Sequence, residues 1–74
     1  METTVELETE FIPLSALLKL SGVAESGGFA KHLVVEGHVE VNGKPETRRG
    51  AKIRPGDDVV VRLPGHPDTT IHVA

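Results

Sequence analysis

Residues 26–44 read SGGFAKHLVVEGHVEVNGK, and within them the chain changes from a helical to an extended pattern. Ser26 suits the N-cap of a helix, because a serine hydroxyl can accept a hydrogen bond from a backbone N–H of the first turn. Phe29, Ala30, Leu33 and Val34 form an apolar arc at helical spacing, with Lys31, His32 and Glu36 on the other side. Val35 falls outside the arc and is expected to be partly exposed. Gly37 is a natural stop. From there the period shortens to two. Val39 and Val41 alternate with His38 and Glu40, and Asn42-Gly43 follows, the dipeptide of a tight turn after a strand.

Working outward toward the N-terminus, Leu14, Leu17 and Leu18 recur at i, i+3, i+4, with Ser15 and Lys19 opposite. Pro13 suits the first turn of this short helix and Gly22 its end. Two helices joined by about five residues should pack as a pair. Thr4 to Phe11 alternate, with Val5, Leu7 and Phe11 on one parity and Glu6, Glu8 and Glu10 on the other, which predicts a half-buried strand with an acidic outer face. Thr9 in an inward slot marks a point where that strand bends or frays.

Toward the C-terminus, Pro45 limits what the segment after the turn can pair with. Pro55-Gly56 reads as a second turn that takes in Asp57 and Asp58. Val59, Val61 and Leu63 share one face of a strand, with Val60 and Arg62 opposite. Pro64-Gly65 and Pro67-Asp68 make a loop, and Thr70 to Val73 a short last strand. The order is β-α-α-β, a basic loop, then β-β. It predicts an α+β domain with two short helices packed on a small, mostly antiparallel sheet. The expected core is Leu17, Leu18, Phe29, Leu33, Val39, Val41, Val59 and Val61. A chain of 74 residues forms one domain, and at this size about 60% of the unfolded surface is buried, so each core residue matters.

The net charge is -3, yet positive charge is concentrated. Residues 44–54 hold Lys44, Arg48, Arg49, Lys52 and Arg54 against one acid, Glu46. Residues 1–12 carry four glutamates and no base. A local cluster of this kind attracts phosphate whatever the global sign. There is no cysteine, which excludes disulfides, Cys-ligated zinc and a thiol nucleophile. No apolar run approaches a membrane span, and the Glu-rich start lacks the features of a signal peptide. A small domain without staples fits a reducing cytoplasm.

The segment from Ile12 to Val61 resembles the RNA-binding domain named for ribosomal small-subunit protein S-four, also called the alpha-L motif. The resemblance rests on Leu17 and Leu18, Ser26, Ala30, the Gly37–Gly43 run GHVEVNG, and Gly56-Asp57, all in order. The chain is most similar to standalone bacterial members of that family. Their pattern SGG-x-AK appears at Ser26–Lys31, and E-x-RRG-x-K-x-x-x-GD at Glu46–Asp57. The resemblance implies the alpha-L fold, with a motif core over about residues 12–63 of a single domain spanning 1–74. It also implies RNA binding without catalysis. Many members carry a base directly after the helix-opening serine, where this chain has Gly27. That leaves more of the phosphate contact to Lys31 and the basic loop.

The candidate RNA-binding residues are Ser26, Gly27, Gly28, Lys31, Lys44, Arg48, Arg49, Lys52 and Arg54. Arginine binds phosphate bidentately and lysine as a point charge. The free N–H groups at a helix start attract anions, and Gly27-Gly28 would let a phosphate come close or would permit tight helix packing. Both phenylalanines fall at predicted core positions and there is no Trp or Tyr, so no aromatic is expected to stack on single-stranded bases. Structured RNA, ribosomal or tRNA-like, contacted through its backbone, is the expected partner. His32, His38, His66 and His72 lack metal-ligand spacing, and no catalytic triad or phosphate-loop motif occurs, so no metal, cofactor or enzymatic activity is expected. The competing reading is a protein-interaction module using an exposed sheet edge or the acidic N-terminal strand.

Overall fold

The structure is a computed structural model describing residues 1–74. In chain order the elements are β1 (Glu2–Val5), β2 (Ile12–Pro13), α1 (Leu14–Leu20), α2 (Gly27–Val35), β3 (Val39–Val41), β4 (Lys44–Pro45), β5 (Lys52–Ile53), β6 (Asp58–Val61) and β7 (Thr69–Val73). A five-stranded sheet runs β1-β7-β6-β3-β4, and β2 pairs separately with β5. All pairings are antiparallel except β1 with β7. The predicted α+β class and mostly antiparallel sheet hold.

The hairpin signal is where the sheet begins. Asn42 (φ 51°) and Gly43 (φ 83°) join β3 to β4, placing Val41 opposite Lys44 and Glu40 opposite Pro45. Two successive left-handed residues give the turn whose twist matches the flanking strands. Asparagine tolerates that conformation better than most residues with a Cβ. Pro45, which has no N–H to donate, lies in the strand at the sheet edge.

Leu14, Leu17 and Leu18 of α1, and Ala30, Leu33 and Val34 of α2, are buried against Val39, Val59, Val61, Ile71 and Val73 of the sheet. Ser26 caps α2 as expected, its Oγ accepting from the Phe29 N–H at 3.1 Å. Val35 is exposed, as its place outside the arc predicts.

Four expectations are corrected. The N-terminal strand covers Glu2–Val5 and not Thr4–Phe11. It pairs with β7 over those residues, and just beyond them Ala74 N–H donates to the Val5 carbonyl and Leu7 N–H to the Ala74 carbonyl. Pro13 is the N-cap of α1 and still pairs with Lys52, one residue ahead of the predicted first turn. Phe29 is 42% exposed, because Ala30, Leu33 and Val34 fill the buried arc and leave Phe29 at its rim beside His32. Val41 is half-buried and only packs against the edge of the core.

Candidate nucleic-acid interface

The segment read as a basic loop is built into the fold at three points. β5 pairs with β2, Ile53 opposite Ile12 and Lys52 opposite Pro13. The Ile53 side chain is buried, while Lys52 and Arg54 on either side of it are exposed, as alternation along an extended segment requires. The first N–H groups of α1 lack partners within the helix, and Pro13 offers no side-chain cap. The loop supplies them: Leu14 N–H donates to the Ala51 carbonyl at 2.9 Å and Ser15 N–H to the Arg49 carbonyl at 3.0 Å. At the far end Asp57 fixes the exit. Its Oδ2 accepts from Arg54 N–H at 2.8 Å, and its Oδ1 accepts from Asn42 Nδ2 at 3.0 Å. Asn42 Oδ1 in turn accepts from Asp58 N–H at 2.9 Å. The turn reading of Asp57 holds, whereas Asp58 opens β6.

Arg48, Gly50, Ala51, Lys52 and Arg54 line an open cleft of ≈ 510 Å³. Arg49 does not line it, and the cations of the segment are not equivalent. Arg48 grips Glu46 through Nη2–Oε1 at 3.0 Å and Nε–Oε2 at 3.1 Å, and its backbone N–H adds a third contact to Oε2. The Arg48 side-chain hydrogen bond holds the Glu46 carboxyl below its usual value, and the pair raises the guanidinium in turn. Arg49, Lys52 and Arg54 make no ion pair. Sequence reasoning grouped all four together. The Glu46–Arg48 pair depends on a bend between residues two apart, which composition does not reveal.

Ser26, Gly27, Gly28 and Lys31 are all exposed at the start of α2. A Cβ at Gly27 would meet nothing within 4 Å, and at Gly28 only Ser26 Oγ at 3.9 Å. Helix packing therefore does not require these glycines, and the open space above them is accessible to a ligand. α2 packs on α1, and the basic segment caps the N-terminus of α1, so α1 supports both groups. Lys44 lies on the edge strand β4 and does not line the cleft.

Two features were missed in the sequence. Phe11, like Phe29, is not in the core; it is 38% exposed and Lys52 Nζ lies 5.0 Å from its ring centroid. The ring follows the bend at residues 8–10, where inward alternation has already ended. His72 sits between two carboxylates, Nε2 at 2.6 Å from Glu2 Oε1 and Nδ1 at 2.8 Å from Asp58 Oδ1. Its pKa is raised, first by the hydrogen bond to Glu2 and then by that to Asp58. This cross-strand bridge ties β1 to β6 across β7.

With this geometry in hand, comparison with known proteins assigns the family. Residues 5–73 match the model of the S4 domain, and the chain belongs to that family. It is similar to RlbA of Bacillus subtilis, named as a probable ribosome maturation protein, at 43% identity over 82% of this chain and 86% of the relative. It is 48% identical to YbcJ of Escherichia coli, whose name provisionally assigns RNA binding, over 65% of this chain and 69% of the relative. The fold is also that of the C-terminal domain of a tyrosyl-tRNA synthetase, with a TM-score of 0.73 at 25% identity, covering 100% of this chain and 79% of that domain.

Proposed function

We propose that this protein is a non-catalytic, cytoplasmic RNA-binding protein that contacts the phosphate backbone of structured RNA, either ribosomal or ribosome-associated. The observation that carries this reading is the set of three unpaired cations, Arg49, Lys52 and Arg54, on a segment fixed by a buried isoleucine and by the N-terminus of α1. Fixed cations engage phosphate without first losing side-chain and backbone freedom together. The N–H groups at the start of α2, with Gly27, Gly28 and Lys31, form a second anion contact. Lys44 extends the positive surface along β4. The names of RlbA and YbcJ support the same class of partner.

Binding of this kind displaces condensed counterions, so log affinity should fall steeply and linearly with log salt. Fluorescence anisotropy with a labelled duplex-containing RNA across a salt series tests it. Recruitment of a protein through a sheet edge would instead show no RNA binding and a weak salt response.

A further inference from the structure

We propose that Phe11 is a stacking platform for one unpaired nucleobase, a role that rests on the reading of the basic cleft as an RNA site. Phe11 immediately precedes β2, and β2 is locked to β5 through the Ile12–Ile53 and Pro13–Lys52 pairs. Its carbonyl accepts from Thr9 Oγ1 at 2.9 Å, which fixes the bend that presents the ring. The ring therefore stands on the strand pair that carries the cleft.

Lys52 links the two. Its Nζ lies 5.0 Å from the Phe11 centroid, and the lysine also lines the cleft. Lys52 is itself exposed and Phe11 is 38% exposed, so the contact lies at the surface. An exposed ammonium over a ring is a weak contact, and a phosphate oxygen is a stronger partner for it. When RNA arrives, Nζ turns to a phosphate and the ring face is released. A flat, unpaired base beside that phosphate then takes the place of the ammonium. Stacking on a phenyl ring is tolerant of base identity, so the platform selects for an unpaired nucleotide and not for a sequence. The protein would thus favour a helix interrupted by a bulge or ending in an overhang over one that is fully paired.

The test compares two short RNA duplexes of equal charge, one with a single bulged nucleotide and one with an abasic residue at the same place. The full chain should bind the RNA with the base about tenfold more tightly, the scale of one stacked base. Phe11→Leu, which keeps apolar bulk without a π face, should bring that ratio close to one, and Phe11→Trp should retain it. A bulged 2-aminopurine should change its emission on binding the wild type and not on binding Phe11→Leu. Circular dichroism checks the fold of each variant. A wild-type ratio near one, or an unchanged ratio in Phe11→Leu, overturns the platform while RNA binding itself stands. Failure of the wild type to bind either RNA overturns the reading of the cleft as an RNA site, and the platform with it.

Discussion

Replacing Ile53 by alanine should both destabilise the fold and disarm the cleft. Ile53 is 1% exposed and is the buried member of the Lys52–Ile53–Arg54 alternation. Alanine removes three carbon groups from the interior, a transfer loss of about 2.4 kcal/mol at roughly 0.8 kcal/mol per group. The cavity left behind raises the expected cost to about 3–5 kcal/mol. A domain of 74 residues has on the order of 4–11 kcal/mol to lose, so the variant should lose a large share of its stability. Urea denaturation followed by circular dichroism measures the loss. The β2–β5 pair is only two residues long, and it leans on this side chain. Lys52 and Arg54 should therefore lose their fixed spacing, and RNA affinity should fall under conditions where the variant remains folded. A cost below about 1 kcal/mol, with unchanged RNA affinity, would refute the argument that Ile53 anchors the basic segment.

Further outcomes follow from other parts of the structure. Leu33→Ala, at a site with 0% exposure, should cost about 2–5 kcal/mol in urea melts without altering the salt dependence of RNA binding by the folded fraction. Glu46→Gln should release Arg48 from its ion pair and so raise RNA affinity and steepen the salt slope, measured by anisotropy. The His72 bridge should make stability fall with rising pH. Its folded pKa lies above the ordinary 6.5, so its stabilisation is full below that value and is lost as pH climbs through the folded one. Urea midpoints across neutral pH should show this decline in the wild type and not in His72→Gln.

The parts of this fold legible in the sequence are those governed by local rules. The Leu14–Leu17–Leu18 stripe, the Ser26 cap and the Asn42-Gly43 turn each act within a few residues, and each appears where the pattern places it. Long-range choices were hidden. The pairing of Glu2 with Thr70 is parallel and joins segments far apart in sequence, and it extends only over Glu2–Val5. β2 and β5 are too short to display a period, so a strand that carries Lys52 and ends just before Arg54 looked like loop. At the candidate site, clustering of charge was visible from composition, but its division into a paired Arg48 and unpaired Arg49, Lys52 and Arg54 depends on side-chain geometry. The two phenylalanines were misread for one reason. An apolar residue at the rim of an arc or just beyond a bend has the same parity as a core residue without a core to enter.

The central claim is that the three unpaired cations of the basic segment bind RNA phosphate. A salt titration of wild type against Arg49→Ala/Lys52→Ala/Arg54→Ala, on one duplex-containing RNA, tests it directly. Each lost phosphate contact removes about 0.7–0.9 from the slope of log affinity against log salt, so the triple variant should flatten that slope by roughly 2–3 units. Its affinity should fall at every salt concentration, and its circular dichroism spectrum should match the wild type, because all three side chains are exposed. Equal slopes and equal affinities for the two proteins would contradict the account.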